Sequence, residues 1–360
     1  MIISKLSLSN FRNYKDLNIS FNSTLNIIYG DNAQGKTNIL EAIYVCATSK
    51  SHRTNTFREM IQMESKESHI SLSINKDDSD HEIDVHLNYS GKKQFAIDKL
   101  PIKKLDELLG VLHVIMFSPE DLSLIKSGPR ERRKFIDIEL SQLNKIYFHY
   151  LQQYHRLLKQ RNALLKECQR SPSHTNREQL DIWDIQFVHY GKKIIEAREL
   201  FITDINEIYK KRHFEISGGK ELMDLKYDKD VNTQNIEMKL KNNQEKDIRF
   251  GTTSVGPHRD DLIFDLNGVD LRKYGSQGQQ RTAALSLKLS EIDLVIDRND
   301  EKPVLLLDDV LSELDASRQL YLLDHLDGIQ TFITCTGIED FIKKDMKSKE
   351  FFKVSDGEIA

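Results

Sequence analysis

The stretch that decides the fold reads Gly30-Asp31-Asn32-Ala33-Gln34-Gly35-Lys36-Thr37. Two glycines spaced by four residues and followed by lysine and threonine form the phosphate-loop pattern. Glycine lets the backbone curl, so that successive N–H groups point inward and create an anion-binding nest. Lys36 is then expected to reach the β- and γ-phosphates of ATP, in a catalytic role, and the Thr37 hydroxyl to ligate Mg²⁺. We therefore expect residues 30–37 to bind the nucleotide.

The segments on either side of this loop agree with the prediction. Leu25–Tyr29 is apolar enough for a buried strand, and Lys36–Thr48 has the apolar spacing of a helix. The N-terminus of that helix would add a positive field at the phosphates. The alternative, an ordinary glycine-rich turn between a strand and a helix, explains neither the lysine nor the threonine.

Composition limits the class of protein. The chain has 360 residues, of which 39% are apolar and 30% charged, so it can form a large core. It has no apolar run long enough to span a membrane, and its three distant cysteines suggest neither disulfides nor a zinc site. We expect a cytoplasmic protein without membrane association. Because the net charge is −4, any DNA binding must come from local basic patches.

The middle of the chain changes from strand-like alternation to helical periodicity after Pro129. Apolar residues spaced alternately by four and three predict two long helices that pair antiparallel, with a break in the first seam at Arg161. The seam positions are Leu143, Tyr147, Tyr150, Tyr154, Leu157 and Leu164 on the first helix, and Trp183, Phe187, Tyr190, Ile194, Ala197 and Phe201 on the second. Strand-like sequence returns near His213 to Tyr227.

A second motif, Val304–Asp309, is an apolar run that ends in two carboxylates. Such a strand usually lies beside the phosphate-loop strand, where Asp308 would hold Mg²⁺ together with Thr37. Asp309 would then orient the attacking water as the catalytic acid.

A third motif, Gly275–Arg281, opens a helix that runs to about Arg298. Ser276, Gly278 and Gln279 could offer donors to a phosphate, although an ordinary helix N-cap explains the same residues. Placed shortly before the double-aspartate strand, the motif resembles the Ser-Gly-Gly-Gln signature of ABC-type ATPases. In those proteins the signature of one subunit closes on the γ-phosphate bound by the other.

Spacing and further motifs distinguish members of this superfamily. Lys36 and Asp308 are 272 positions apart, and the helical hairpin fills much of that gap, as in members that act on DNA. Together with the signature, three segments make the chain similar to the RecF family over its whole length: Asn10–Tyr14, Phe117–Leu122 and Gly256–Leu262.

The resemblance implies an α/β, ABC-type phosphate-loop ATPase head with an inserted helical arm. We divide the chain into the N-terminal part of the head (1–117), the arm (118–244) and the C-terminal part of the head (245–360). The resemblance also implies nucleotide contact by Arg12, ATP-dependent homodimerisation, slow ATP hydrolysis and binding to gapped or junction DNA. RecR, RecO and RecA would be the partners, in DNA repair, replication, recombination and the SOS response.

Two positions depart from the transporter ATPases. Where these carry a switch histidine, after the strand Thr331–Cys335, this chain has Thr334 and Thr336. Where they carry a glutamine, near Phe117, it has Ser-Pro-Glu-Asp. Both departures fit slow turnover, and they leave open how the γ-phosphate is sensed.

A basic cluster lies where the arm begins: Lys126, Arg130, Arg132, Arg133 and Lys134 surround a single acid, Glu131. The cluster is either a solvated face or a surface that contacts DNA phosphates. Two other functions are weaker alternatives for the whole chain. A membrane-transporter motor would carry the switch histidine and no arm. A small-molecule kinase would explain the phosphate loop alone.

Overall fold

The computed structural model of the chain describes residues 1–76, 79–171, 174–337 and 349–359. Its strands are β1 (Ile2–Phe11), β2 (Tyr14–Ser20), β3 (Leu25–Tyr29), β4 (Glu67–Lys76), β5 (Ser79–Asn88), β6 (Lys93–Ile97), β7 (Leu100–Pro101), β8 (Val114–Phe117), β9 (Met223–Asp228), β10 (Asp261–Leu266), β11 (Val269–Asp270), β12 (Val304–Asp308), β13 (Thr331–Cys335), β14 (Lys349–Ser355) and β15 (Glu358–Ile359). Its α-helices are α1 (Lys36–Thr48), α2 (Leu122–Lys126), α3 (Pro129–Leu143), α4 (Lys145–Arg170), α5 (His174–Ile216), α6 (Ile236–Asn242), α7 (Gln244–Phe250), α8 (Leu271–Tyr274), α9 (Gln277–Asn299) and α10 (Ala316–Asp324).

The chain forms two compact units, and the first combines Met1–Asp121 with Glu291–Ala360. Among its described strands, one sheet has the order β15-β14-β3-β13-β12-β8, and its inner strands run parallel. A second sheet has the order β2-β1-β4-β5-β6-β7 and is antiparallel. Helix α1 contacts strands of both sheets. This unit is the α/β head that the sequence predicts.

Sequence pattern explains the two sheets. Strands β12 and β13 are buried at every position, on both faces, whereas β4 and β5 alternate between buried and less buried residues. Strands β4 and β5 pair antiparallel, and Ile83, Val85 and Leu87 are all fully buried on one face of β5. The turn residues 77–78 lie outside the described residues.

The second unit, Leu122–Ser290, is built on the antiparallel helices α4 and α5. The Tyr154 ring stacks on the Phe187 ring with centroids 4.6 Å apart, and Tyr150 meets Tyr190 at 6.0 Å. Because numbering rises on one helix as it falls on the other, these contacts confirm the predicted pairing. The seam therefore serves packing. Of the polar segment between the helices, residues 172–173 are outside the described part.

The break in the first seam, Arg161, proves to be a buried cation. Its side chain is 0% exposed and donates to Asp184 at 2.6 Å, to Asp247 at 2.8 Å and to the Thr253 hydroxyl at 2.9 Å. A buried charge persists only when it is paired and hydrogen-bonded. Arg161 thus ties both long helices to the segment that precedes Gly256.

The Gly256–Asp261 motif is a second buried polar centre of this unit. Arg198 of α5 donates to the Pro257 carbonyl at 2.7 Å, to Asp260 at 3.2 Å and to Asp137 of α3 at 2.7 Å. Burial raises the pKa of Asp260, although Arg198 opposes that shift. The motif therefore fastens α3 and α5 to β10.

Two features of the arm differ from the sequence-based expectation. The strand-like assignment is wrong at its start, because α5 continues through Ile216 and strand β9 begins only at Met223. His213 is helical and fully buried, and its ring contacts the Ser286 hydroxyl and Glu221. The compact units separate after residues 121 and 290, whereas the sequence suggested 117 and 244, since β10 pairs with β9 inside the second unit.

Candidate functional site

The loop between β3 and α1 is cradled so closely that only glycine fits at its two ends. Gly30 has φ 152° and Gly35 has φ 118°, and Ala33 between them is left-handed at 66°. A Cβ on Gly30 would lie 2.2 Å from the Val354 carbonyl oxygen, and one on Gly35 would lie 2.5 Å from the Asn13 amide nitrogen. The curled backbone that an anion nest needs is therefore built into the head.

Lys36 lies inside this curl, at the first residue of α1. Its ammonium donates to the carbonyl oxygens of Gly30 and Asp31, both at 2.7 Å, and the residue is only 8% exposed. Asp31, Asn32 and Ala33 form the exposed crest of the loop. This arrangement places one cation at the centre of the predicted phosphate-binding residues.

Residues remote in sequence hold the loop from behind. The Asn13 amide donates to the Gln34 carbonyl at 2.7 Å, and the Tyr14 hydroxyl donates to the Gly35 carbonyl at 3.1 Å. The backbone N–H of Asp356 donates to the Gln34 side-chain oxygen at 2.5 Å. The Asn-Phe-Arg-Asn-Tyr turn noted in the sequence is thus a support of the phosphate loop.

Arg12 is held by a buried carboxylate. Its guanidinium donates to the two oxygens of Glu41 at 2.8 and 2.7 Å and to the Glu59 carbonyl at 2.5 Å. Burial would raise the pKa of Glu41, but hydrogen bonds from Arg12 and Ser51 outweigh it and lower that pKa. The guanidinium therefore anchors α1, and its contact with a nucleotide remains a prediction.

The position of the double-aspartate strand in the sheet differs from the prediction. Strand β13 lies between β3 and β12, so the prediction that β12 is adjacent to the phosphate-loop strand is wrong. The end of β12 nevertheless lies close to the phosphate loop, because the carboxyl ends of parallel strands meet at one edge of the sheet. There the Thr37 hydroxyl donates to Oδ1 of Asp308 at 2.8 Å.

Thr334, at the end of β13, connects the two aspartates. Its hydroxyl donates to Oδ1 of Asp308 at 2.7 Å and accepts the backbone N–H of Asp309 at 3.0 Å. Asp309 has a left-handed backbone, with φ 52°, and its carbonyl accepts a bond from the Ser312 hydroxyl at 2.7 Å. The sequence singled out Thr334 and Thr336 only because this region lacks the switch histidine of transporters, and it did not predict the bridge.

The residues at this edge suit a nucleotide with Mg²⁺. The hydroxyl of Thr37 and the carboxylate of Asp308 are the hard oxygen ligands that Mg²⁺ prefers, usually beside phosphate oxygens. The glycine positions leave the backbone close enough to hold phosphates. When bound, the cation would neutralise charge that develops on the phosphates.

The signature residues form a helix N-cap in the second unit. The Ser276 hydroxyl accepts the Gln279 backbone N–H at 3.2 Å, and the Gln279 side-chain oxygen accepts the Ser276 backbone N–H at 2.9 Å. This reciprocal pair is a capping box. The Ser276 hydroxyl keeps its own proton for donation, and a Cβ on Gly278 would meet only that oxygen, at 3.9 Å. Capping and phosphate binding are therefore compatible.

The basic cluster is divided by burial. Arg132 is 2% exposed and donates to both oxygens of Asp261 and to the carbonyls of Leu124 and Ser127. The prediction that Arg132 contacts DNA conflicts with this placement, because its donors face protein acceptors.

The other members of the cluster differ in their surroundings. Arg133 is partly buried and donates to the Asp260 carbonyl at 2.6 Å. Lys126, Arg130 and Lys134 are exposed, so these three members of the cluster present positive charge to solvent.

Comparison with known proteins gives full-length matches. The family described as "RecF/RecN/SMC N terminal domain" matches residues 2–358. "DNA replication and repair protein RecF" of Lachnoclostridium phytofermentans is 52% identical over 362 residues, covering 100% of this chain and 99% of that protein. The protein of the same name from Clostridium perfringens is 46% identical over 364 residues, with the same coverage.

Solved structures agree with these matches. One described as "Structure of the recombination mediator protein RecF-ATP in RecFOR pathway" superposes with a TM-score of 0.93 at 34% identity, covering 100% of this chain and 97% of that one. The Smc head domain from Pyrococcus furiosus, at a TM-score of 0.57 and 16% identity, covers 99% of this chain and 95% of that one and supports the fold alone.

These similarities give no support to the transporter alternative. Within the described ranges, no helix combines the length and the apolar character that crossing a bilayer requires. The relatives named above match this chain over its full length, including the head with its glycine-cradled loop and its paired aspartates. The chain therefore belongs to the RecF family of the RecF/RecN/SMC proteins.

Proposed function

We propose that this protein is an ATP-dependent, DNA-binding recombination mediator of the bacterial cytoplasm. Two copies dimerise on ATP, and the dimer binds gapped DNA or junctions of single- and double-stranded DNA. Together with RecR and RecO it helps RecA to load, and it hydrolyses ATP slowly. The names of the relatives, which include a RecF–ATP structure and the RecFOR pathway, support this role.

The observation that carries the proposal is the contact between Thr37 and Asp308 beside the glycine-cradled loop. Residues 30–37 would wrap the phosphates with backbone N–H groups, and Lys36 would supply a point charge to the β- and γ-phosphates. Thr37 and Asp308 would hold Mg²⁺. Asp309 would orient the attacking water and accept its proton.

The remaining parts of the nucleotide site would come from two further segments. Arg12, already oriented by Glu41, would contact the nucleotide bound to the same copy. Ser276, Gly278 and Gln279 would donate to the γ-phosphate bound by the other copy, because a twofold dimer places equivalent surfaces in reciprocal contact. ATP would thereby join the two copies, and hydrolysis would release them.

The DNA surface would include Lys126, Arg130 and Lys134, which are exposed at the beginning of the arm. Phosphate contacts of this kind provide affinity without reading sequence. They suit a protein that recognises gaps and junctions.

The deciding experiment measures mass and DNA affinity with and without ATP. Light scattering should show a monomer without nucleotide and a dimer with ATP and Mg²⁺, and anisotropy at fixed salt should show at least about tenfold tighter binding to gapped duplex. Lys36→Ala should lose both responses while keeping its urea unfolding transition. Lys15→Ala, which removes an exposed lysine of β2, is the matched control. ATP-dependent dimers of Lys36→Ala would contradict the assignment.

A further inference from the structure

The hydroxyl of Thr334 is fixed between the two aspartates that the proposed reaction uses. It lies 2.7 Å from Oδ1 of Asp308 and 3.0 Å from the backbone nitrogen of Asp309, and the residue is only 1% exposed. We propose that Thr334 is a positioning residue, which couples the metal-binding carboxylate to the residue that orients the attacking water. The inference rests on the proposed function, since it assigns a role within that same site.

The direction of each hydrogen bond follows from chemistry. The Asp309 N–H can only donate, so the Thr334 oxygen must accept there. The one hydroxyl proton of Thr334 is then left for the carboxylate of Asp308. A chain of bonds thus runs from the Asp309 backbone through Thr334 to Asp308, and the Thr37 hydroxyl donates to the same carboxylate oxygen.

The backbone of Asp309 needs such support. Its φ of 52° lies in the left-handed region, which non-glycine residues rarely occupy. Thr334 holds the N–H of Asp309 and Ser312 holds its carbonyl. Two hydroxyls therefore fix the peptide groups on both sides of Asp309, and with them the direction in which its side chain leaves the backbone.

This role differs from that of the switch histidine of transporter ATPases, which follows the corresponding strand. The Thr334 hydroxyl is already engaged with two groups of the protein, and its side chain is much shorter than an imidazole. Thr334 therefore acts on the carboxylates and not on the γ-phosphate. Partners that orient a metal ligand typically contribute about 10- to 100-fold in metal affinity or activity.

Strand β13 offers a matched control, because Thr331 is buried to the same extent. Thr331 is 1% exposed, and its hydroxyl donates to the carbonyl of Ile329, so it has no part in the bridge. Thr334→Val and Thr331→Val each replace a buried hydroxyl with a methyl group of similar size. A loss common to both variants would reflect packing, and a loss specific to Thr334→Val would reflect the bridge.

The test compares Thr334→Val, Thr334→Ser and Thr331→Val in the full-length protein. Thr334→Val should lower kcat by about tenfold or more and raise the Mg²⁺ concentration for half-maximal turnover, with KM for ATP within about twofold. Thr334→Ser should restore both values, and Thr331→Val should match the wild type. If Thr334→Val does not fold, Thr334→Ala can be compared with Thr334→Ser. These two variants differ only in the hydroxyl, and both side chains are smaller than that of threonine.

Two readouts do not depend on turnover. Mn²⁺ titration by electron paramagnetic resonance, with a non-hydrolysable ATP analogue, should show weaker metal binding in Thr334→Val alone. Amide hydrogen exchange without nucleotide should show faster exchange at Asp309 in the same variant. If wild-type protein neither binds nor hydrolyses ATP, the proposed function fails. If wild type turns over ATP and Thr334→Val equals it in kcat and Mg²⁺ dependence, the positioning role is overturned.

Discussion

The hydroxyl of Thr37 lies 2.8 Å from the carboxylate of Asp308, although 271 positions separate the two residues in sequence. Thr37 belongs to the first turn of α1 and Asp308 to the last residue of β12. The sheet joins them because β3, β13 and β12 run parallel and end at a common edge. A metal bound there would link the phosphate loop to Asp308, and Asp309 is the next residue in the chain.

A mixed dimer would reveal whether the signature acts on the partner's nucleotide. Lys36→Ala would disable the phosphate loop, and Gly278→Arg would block the signature without removing the Ser276 cap, since a Cβ on Gly278 makes only an ordinary contact of 3.9 Å with the Ser276 hydroxyl. If the signature acts across the dimer, each homodimer would have two broken sites, whereas a mixed dimer would have both lesions in one site and a wild-type second site. Random pairing makes about half the dimers mixed, so combining the proteins should restore ATPase activity.

The control for this rescue is wild type mixed with each variant. If those mixed dimers are active while the two variants together stay inactive, the signature acts within its own copy and the composite site is ruled out. Ser276→Arg, which also removes the cap, should give the same rescue if it folds.

Replacing Asp309 with asparagine should separate nucleotide binding from hydrolysis. Asparagine tolerates the left-handed backbone of this position, and Asp308 is left to hold the metal. We expect ATP binding to persist and kcat to fall by about 100-fold or more, because the water loses its proton acceptor. Single-turnover kinetics and dimer lifetime by size-exclusion chromatography measure the two effects.

The matched control is Asp300→Asn. Asp300 is also left-handed, with φ 57°, but it is an exposed residue that follows α9. It should turn over ATP like the wild type. Rapid turnover by Asp309→Asn would show that another group orients the water.

Charge reversal at Lys126, Arg130 and Lys134 should weaken DNA binding and reduce its salt dependence. Each lost phosphate contact lowers the slope of log K against log salt by about 0.9, so the triple variant should lose up to about 3. Anisotropy titrations over a range of salt concentrations measure this slope.

A control with the same change in charge reverses Lys5, Lys15 and Lys66, which are exposed lysines of the head. If the slope of log K against log salt is unchanged in the arm variant, or falls equally in both variants, the cluster does not contact DNA. Arg132 is left intact in this test, since its pairing with Asp261 makes it part of the folded arm.

The stability of the second unit, Leu122–Ser290, should depend on pH through His258. Burial lowers the pKa of His258 to about 4, and its ring is held between the Tyr154 hydroxyl and the Thr253 carbonyl. Nε2 donates to the carbonyl, so Nδ1 accepts from the tyrosine, and the ring is neutral. Below pH 6.5 His258 becomes protonated in the unfolded chain but stays neutral in the folded chain. The free energy of unfolding therefore decreases as the pH falls towards 4.

The expected loss is about 2 kcal/mol of unfolding free energy between pH 7 and pH 5. Urea titrations of His258→Gln, which can keep both hydrogen bonds, should show a smaller loss over this range. His149→Gln, at an exposed position of α4, should follow the wild type. Equal pH dependence in all three proteins would exclude His258 as the group responsible.

The sequence determined the elements whose signals are local. The phosphate-loop spacing and the apolar period after it predicted helix α1 with the bounds Lys36–Thr48 that the structure has. The seam periodicity predicted the antiparallel pair α4 and α5, and the motifs predicted that residues 304–308 form a strand and that a helix follows Ser276. Glycine conformation and hydrophobic period act over a few residues, so both can be read without knowing the fold.

Only the tertiary structure decided which distant residues meet. It inserted β13 between the two motif strands, and so brought Thr334 to both aspartates. It also separated Arg132, which pairs with Asp261, from its exposed neighbour Arg130. These outcomes depend on strand order and on burial, which arise from contacts between segments far apart in the chain. The local sequence around a residue therefore does not predict those contacts.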